Sequence, residues 1–155
     1  MELPPHRRAI VEGIHKCLRQ QLAPVVTVRG LRQVGKTTAQ LHVIQDLLRS
    51  GVPGNNIFRV QCDELPSLAH FKEPVLRLTD WYEEVILKRT LNQAAAENTP
   101  AFLFWDEIQN LKDWASQLKH LVDSSTCQVV VTGGAGLQIE QGGYCLAGRI
   151  TPLEM

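Results

Sequence analysis

Residues 30–38 of this 155-residue chain read Gly-Leu-Arg-Gln-Val-Gly-Lys-Thr-Thr, and their types and spacing suit phosphate chemistry. Gly30 and Gly35 allow a tight turn in which backbone N–H groups approach an anion closely. The ammonium group of Lys36 can reach the β- and γ-phosphates of a nucleotide, and the Thr37 hydroxyl can bind Mg²⁺. The pattern predicts a phosphate-binding loop (Walker A) whose nucleotide-binding residues are Gly30, Leu31, Arg32, Gln33, Val34, Gly35, Lys36, Thr37 and Thr38.

The segments on either side of this loop are of the kinds that a phosphate-binding loop requires. Residues 24–29 form a short β-branched run typical of a buried strand. Residues 38–50 predict a helix that ends at Gly51 and directs the positive end of its dipole at the loop. Four apolar residues of this helix are predicted to face the core: Leu41, Ile44, Leu47 and Leu48.

An acidic pair, Asp106 and Glu107, directly follows the apolar run 101–105, which predicts a buried strand. An apolar strand followed by two carboxylates downstream of a P-loop fits the Walker B pattern. Asp106 would then hold Mg²⁺ together with Thr37, and Glu107 would orient and activate the attacking water. The alternative is that the pair begins a solvated loop and caps the next helix; the upstream loop favours the catalytic interpretation.

Two further residues complete the predicted catalytic set with Lys36 and Glu107. Thr132 ends a predicted strand, where a polar side chain can contact the γ-phosphate or position water; the alternative is a threonine with no catalytic role. Arg149 is the second, since an arginine beside a transferring phosphate accelerates the reaction strongly, in its own subunit or in a neighbour. A surface salt bridge is an equally open interpretation of Arg149.

The remaining reactive side chains form no recognisable site. The histidines have no metal-ligand spacing, and Asp63-Glu64 reads as a solvated turn. No Cys-x-x-Cys pair occurs, so we predict free thiols in a reducing compartment, with Cys62 and Cys127 near strand ends as small apolar filler. The four cysteines are Cys17, Cys62, Cys127 and Cys145.

The composition is that of a single globular domain, 44% hydrophobic and 21% charged. The net charge is zero, so no global field recruits nucleic acid or an anionic membrane; nucleic acid remains a possible but unsupported partner. No apolar run approaches the roughly 18 residues of a membrane span, and no secretory signal is evident. We therefore expect a cytoplasmic protein without a membrane partner.

Strands alternate with helices along the chain, which predicts an α/β fold with a parallel sheet covered by helices on both faces. Ligands of such sheets bind beyond the carboxyl ends of the strands. In the helix at 81–97, Trp81, Val85, Leu91 and Ala95 are predicted to face the core. Strands are predicted at 25–29, 57–62, 101–105 and 128–132, helices at 6–22, 38–50, 81–97 and 112–124, and an irregular excursion at 63–74.

The order of the motifs resembles that of a known family. The P-loop at 30–38 is followed by Phe-Trp-Asp-Glu-Ile-Gln-Asn at 104–110, Val-Thr-Gly at 131–133 and Ala-Gly-Arg at 147–149. Over about residues 6–155 the chain resembles predicted prokaryotic ATPases of the AAA+ superfamily with a GxRxxGKTT P-loop and a DEIQ Walker B motif. Gly134-Ala135 departs from the Ser or Asn usual there, and Leu31 stands in place of a frequent Pro.

The resemblance implies an ATP-binding domain with three layers, α-β-α, and strand order 5-1-4-3-2. It implies Lys36 on phosphate, Thr37 and Asp106 on Mg²⁺, and Glu107 as the base. Relatives usually continue into a winged-helix-like lid and a C-terminal domain with a nuclease-like fold. We therefore expect residues 1–155 to be one AAA-type domain, with a helix at about 6–22 and a core at 24–155, that is C-terminally incomplete. The fifth strand and the lid would be truncated at Met155, leaving the P-loop strand with an unpaired edge.

The function that follows is Mg²⁺-dependent hydrolysis of ATP to ADP and phosphate, weak in the isolated chain. The alternative is a nucleotide-state-dependent interaction module with little turnover, acting on a partner protein, DNA or the absent C-terminal domain. Self-association is a further possibility. A small-molecule kinase is disfavoured by the second carboxylate, Glu107.

Overall fold

The computed structural model describes residues 2–4, 9–31, 34–134, 137 and 146–155. At its centre lies a sheet of five strands in the order β2-β3-β4-β1-β5, and every neighbouring pair is parallel. The predicted α/β class and the order 5-1-4-3-2 are confirmed, and the topology is that of a P-loop NTPase. The strands are β1 Val25–Arg29, β2 Ile57–Gln61, β3 Phe102–Asp106, β4 Gln128–Gly133 and β5 Ile150–Glu154.

Side chains alternate between the two faces of each buried strand, so apolar groups lie on both faces of the sheet. Helices cover both of these faces. Val26 and Val28 of β1 pack with the first two helices, whereas Val25 belongs to the larger core on the opposite face. The helices are α1 Ala9–Gln20, α2 Lys36–Arg49, α3 Pro74–Trp81, a π-helical turn Tyr82–Leu87, α4 Leu91–Ala96 and α5 Trp114–Ser124. Short 3₁₀ turns occupy Gly54–Asn56, Cys62–Glu64, Pro66–His70 and Ile108–Asn110.

The fifth strand is formed, so the expectation that it is truncated is wrong. β5 pairs with β1 along the whole of Val25–Arg29. Backbone hydrogen bonds close both ends of the pair, from Val25 N–H to Arg149 at 3.0 Å and from Met155 N–H to Arg29 at 2.9 Å. The sequence Ile-Thr-Pro-Leu-Glu does not predict a strand, because it is short and contains proline. Sheets nevertheless tolerate proline in an edge strand, which is the position of β5. The P-loop strand is consequently paired on both sides.

The predicted helix 81–97 is wrong as a single element. Trp81 and Val85, which were expected in the core, are 47% and 48% exposed. The π-helical turn adds backbone to each turn and rotates the following side chains relative to an α-helix. Lys88 then ends the turn in the left-handed region, with φ 58°, and Thr90 begins α4 with a capping box. The buried residues of this region are Tyr82, Leu87, Leu91 and Ala94.

The other predicted helices are present with corrected bounds or faces. α1 ends at Gln20 rather than at the predicted residue 22, and Leu22 is 79% exposed; residues 5–8 lie outside the described part. In α2, Leu48 is exposed, and the buried residues are Lys36, Ala39, Gln40, His42 and Val43. The helix predicted at 112–124 is α5, which begins at Trp114 and buries Gln117, Leu118 and Leu121.

Three of the four cysteines lie in the described residues, and none of these three is in a disulfide. Burial raises the pKa of both the Cys62 and the Cys127 thiol to about 12, so both are neutral at physiological pH. This fits their predicted role as apolar filler; Cys145 lies outside the described residues. Among the described residues, no helix combines the length and apolarity that crossing a bilayer demands.

Candidate nucleotide-binding site

The predicted phosphate loop connects the end of β1 to the start of α2. Gly35 has φ 97° and ψ 21°, a left-handed conformation that glycine adopts without strain. At Gly30, an added Cβ would lie 3.2 Å from the Cβ of Met155 and 3.1 Å from Val34, so only glycine fits this close approach without displacing a neighbour. Thr38 lies half-buried in the first turn of α2, and Arg32 and Gln33 lie outside the described residues.

The side chain of Lys36 folds back over this loop. It is only 4% exposed, and its Nζ donates to the carbonyl oxygens of Gly30 at 2.9 Å and Leu31 at 2.7 Å. The same Nζ lies 3.8 Å from Oε1 of Glu107. The ammonium group is therefore held at the centre of the loop, on the side that faces Glu107 at the end of β3.

The buried Asp106 carboxylate accepts hydrogen bonds from several elements of the site. Its side chain is 1% exposed, and its Oδ2 accepts a hydrogen bond from Thr37 Oγ1 at 2.7 Å. Its Oδ1 accepts one from Thr132 Oγ1 at 2.6 Å. These contacts arise because β3 lies beside β4 and both strands end at the edge where α2 begins. The structure thus brings together three residues that belong to three separate sequence motifs.

Arg59, which belongs to none of the sequence motifs, also binds Asp106. Arg59, in the middle of β2, donates from Nη2 to Oδ2 of Asp106 at 2.7 Å. Its Nε donates to Oε1 of Gln40 at 3.2 Å, and its Nη1 lies 3.5 Å from Oε1 of Gln61. The sequence contains only a weak indication of this contact. Arg59 and Gln61 are polar residues two apart on a strand, which places them on one face of the sheet. Only the pairing of Gln61 with Asp106 shows that this face carries the carboxylate.

Glu107 turns away from the strand immediately after Asp106. Its φ of 55° and ψ of 49° are left-handed, a conformation that costs a non-glycine residue about 1–2 kcal/mol. Its N–H donates to Oγ1 of Thr132 at 3.4 Å, and Asn110 N–H donates to its carbonyl at 3.2 Å. Its carboxylate accepts a short hydrogen bond from Nε2 of Gln109. The turn aims the Glu107 carboxylate toward the phosphate loop.

Arg149 is not part of this cluster. It precedes β5 and lies at the amino end of the sheet, and a strand length of roughly 15 Å separates that end from the phosphate loop. Its guanidinium binds Asp123 through Nε at 2.6 Å and Nη2 at 3.1 Å, and this hydrogen bond holds the Asp123 pKa below its ordinary value. The predicted role of Arg149 at the γ-phosphate of its own subunit therefore does not fit, and the salt-bridge interpretation agrees with the geometry.

The chemistry of the donor set fits Mg²⁺. The Thr37 hydroxyl and an Asp106 carboxylate oxygen lie within 2.7 Å of each other at the end of β3. Mg²⁺ prefers oxygen ligands, and in nucleotide sites it takes one or two from the protein and others from phosphates and water. A hydroxyl and a carboxylate beside a phosphate loop meet that requirement.

Comparison with known families agrees with this geometry. Residues 22–155 match the model of the AAA_14 family, described as an AAA domain, and the chain belongs to this family. AAA domains are nucleotide-binding domains of the ATPase kind, which agrees with the P-loop NTPase topology and the clustered side chains. No curated protein matches the sequence.

Proposed function

We propose that this AAA domain binds ATP with Mg²⁺ and hydrolyses it to ADP and phosphate. One observation carries the proposal: the side chains required for phosphate binding, metal binding and water activation meet at one edge of the sheet. They are Lys36, Thr37, Asp106 and Glu107. We also propose that residues 1–155 form one domain, since α1 packs against both α2 and β5.

Phosphate binding would use the loop and Lys36. The lysine Nζ donates to two carbonyls of its own loop, and these bonds can be exchanged for bonds to β- and γ-phosphate oxygens. The amino end of α2 begins at Lys36 and adds a favourable dipole. Thr37 and Asp106 would hold Mg²⁺, which when bound neutralises the charge of the phosphates during transfer.

Water activation would fall to Glu107. Its carboxylate lies 3.8 Å from the Lys36 ammonium, so it faces the position that a terminal phosphate would take. A carboxylate there can orient a water molecule and accept its proton. Thr132 would act as a positioning residue, since its hydroxyl contacts both the Asp106 carboxylate and the Glu107 backbone.

A groove beside the loop offers room for the nucleoside. It has a volume of about 480 Å³ and lies between the start of α1 and the end of β5. Mostly apolar groups line it, which suits the faces of a purine ring. Its described lining residues are Ala9, Ile10, Gly13, Val34, Glu154 and Met155.

The second candidate function is a nucleotide-dependent interaction module with little turnover. The observation that favours it is the hydrogen bond from Gln109 to the Glu107 carboxylate, because a base already engaged by an amide is less available to water. Under this proposal, nucleotide binding would change contacts with a partner protein, a further domain or a second copy of the chain.

One comparison separates the two functions. ATP binding by calorimetry and phosphate release would be measured for the wild type, Lys36→Ala and Glu107→Gln. The matched controls are the surface substitutions Lys119→Ala and Glu97→Gln, whose side chains are 44% and 59% exposed. Hydrolysis predicts that Lys36→Ala loses binding and that Glu107→Gln binds without turnover. Slow phosphate release that Glu107→Gln leaves unchanged would favour the interaction module, and undiminished ATP binding by Lys36→Ala would refute both.

A further inference from the structure

We propose that Arg59 is a built-in counter-cation of Asp106 that lowers the affinity of the site for free divalent cations. Arg59 lies on β2, outside the phosphate loop and outside the acidic pair. Its Nη2 is 2.7 Å from the same Asp106 oxygen, Oδ2, that accepts the Thr37 hydroxyl. The inference rests on the proposed function, since Thr37 and Asp106 are the proposed metal ligands.

Arg59 compensates a buried negative charge. Asp106 is 1% exposed, and a buried carboxylate without a compensating charge is strongly unfavourable. The contacts from Thr37 and Thr132 are hydroxyl hydrogen bonds and carry no charge. Arg59 is 20% exposed and supplies the positive charge that the buried aspartate requires.

Arg59 is held in place by side chains from more than one element of the fold. Gln40 of α2 accepts from its Nε and is itself fixed, because its amide donates to the Trp105 carbonyl at 3.1 Å. Gln40 is completely buried. Gln61 of β2 offers another acceptor, 3.5 Å from Nη1. A guanidinium held in this way keeps its position without the entropy cost of ordering a free side chain.

A second cation at Asp106 would meet the positive charge of Arg59. A divalent ion that contacts both Thr37 Oγ1 and Asp106 Oδ2 comes within a few ångströms of the guanidinium, and the two positive charges repel each other. Nucleotide phosphates would offset this repulsion with their own negative charge. The guanidinium could also move away from the metal and toward Oε1 of Gln61, which lies 3.5 Å from Nη1. The site would therefore accept metal together with nucleotide much better than metal alone.

The test uses Mn²⁺ as the probe, with free Mn²⁺ measured by electron paramagnetic resonance. Nucleotide-free wild type, Arg59→Met, Arg59→Gln and Arg59→Lys would be titrated and then compared in the presence of ADP. Arg59→Met removes the charge, Arg59→Gln keeps a neutral N–H donor, and Arg59→Lys keeps the charge. Arg89→Met is the matched control, a partly buried arginine that bonds Glu97 and Thr99 away from the site.

We expect both neutral variants to bind Mn²⁺ about tenfold or more tightly than the wild type without nucleotide. Arg59→Lys and Arg89→Met should stay close to the wild type, and adding Asp106→Asn to Arg59→Met should remove the gain. If Arg59 had a purely structural role, replacing it would not raise the affinity for Mn²⁺. Equal Mn²⁺ affinity of all variants, with and without ADP, would overturn the inference.

Folding of the variants provides a second measurement. If Arg59→Met and Arg59→Gln are unfolded in EDTA, recovery on adding Mn²⁺ supports the counter-cation role, and no recovery refutes it. Failure of the proposed function gives a different result. In that case, the wild type shows no Lys36-dependent ATP binding, whereas the Mn²⁺ gain at Asp106 is still measurable in the neutral variants.

Discussion

The hydroxyl of Thr132 connects the two acidic residues of the site. It donates to Oδ1 of Asp106 at 2.6 Å and accepts the backbone N–H of Glu107 at 3.4 Å. Thr132 is completely buried, so water cannot replace either contact without a change in packing. A single side chain on β4 thus contacts both the Asp106 carboxylate and the backbone at which Glu107 turns out of β3.

Replacing Thr132 by valine should destabilise the protein much more than replacing it by serine. Valine has a similar shape but leaves a buried carboxylate oxygen and an N–H without their partner, a loss of about 1–3 kcal/mol in the free energy of unfolding. Serine keeps the hydroxyl and loses only a methyl group. Urea denaturation measures both variants, and equal losses for Val and Ser would show that the hydroxyl does not hold the site together.

Replacing Gly133 by alanine should displace Gln109. A Cβ at Gly133 would lie 2.7 Å from Oε1 of Gln109 and 2.8 Å from Cδ1 of Leu137. We expect a loss of about 1–3 kcal/mol in stability, typical of overpacking. Gly54→Ala is the control, since nothing lies within 4 Å of its added Cβ, and it should change stability by no more than about 0.5 kcal/mol.

The same Gly133 variant reports on Glu107. If Gln109 leaves the Glu107 carboxylate, phosphate release by Gly133→Ala should change in the same direction as phosphate release by Gln109→Ala. Opposite changes in the two variants would mean that Gln109 does not act through its hydrogen bond to Glu107.

Replacing Arg149 by methionine should leave hydrolysis by the dilute, isolated chain unchanged. Its guanidinium binds Asp123 at the far end of the sheet from the phosphate loop. Single-turnover phosphate release checks this, with Lys36→Ala as the inactive reference. A loss of about a thousandfold would instead be typical of an arginine acting on the transferring phosphate. A role for Arg149 in a neighbouring subunit stays a prediction, and it would appear as a loss only at protein concentrations where chains associate.

The buried thiols should make the protein less stable at high pH. Burial raises the pKa of Cys62 and of Cys127 from 9.0 to about 12. The folded state therefore favours the neutral thiols, and this contribution is complete below pH 9 and is lost as the pH rises toward 12. Urea denaturation across that range should show falling stability, with a smaller slope in a Cys62→Ala, Cys127→Ala double variant. Tyr82, whose pKa is also raised to about 12, contributes to the slope that remains.

Alkylation gives an independent check on the same thiols. At pH 8, iodoacetamide should modify the half-buried Cys17 before Cys62 or Cys127, as judged peptide by peptide in a mass spectrum. Rapid modification of Cys62 in the folded protein would contradict the raised pKa.

The sequence was sufficient to predict the strand, loop and helix around residues 30–38 and the proximity of Thr37 to Asp106. Both follow from local patterns together with one rule, that parallel strands end at the edge where ligands bind. Arg59 could not be found in this way, because its partner lies on a neighbouring strand and only the register of β2 against β3 brings them together. The helix at 81–97 failed for another reason: an α-helical period does not hold through a π-helical turn.

The position of β5 corrects one expectation and bears on another. The fifth strand was expected to be truncated at Met155, which would leave the P-loop strand with an unpaired edge, and Arg149 was interpreted either as a residue at the γ-phosphate or as a surface salt bridge. Once β5 begins at Ile150 and runs parallel to β1, the residue before it must lie at the opposite end of the sheet from the phosphate loop.

Pro152 also affects how this sheet meets other chains. β5 forms an outer edge of the described sheet. The N–H of Met155 donates to Arg29 of β1, so the backbone N–H groups of every second residue counted from Met155 are directed at β1, and those between them are directed away from the sheet. Pro152, which is in register with Thr27, falls on the outward-pointing set. Its ring nitrogen carries no hydrogen, so the outer edge lacks a donor in the middle of a short strand. The sheet is thereby a poor template for the addition of a foreign strand, and this edge is protected against β-aggregation.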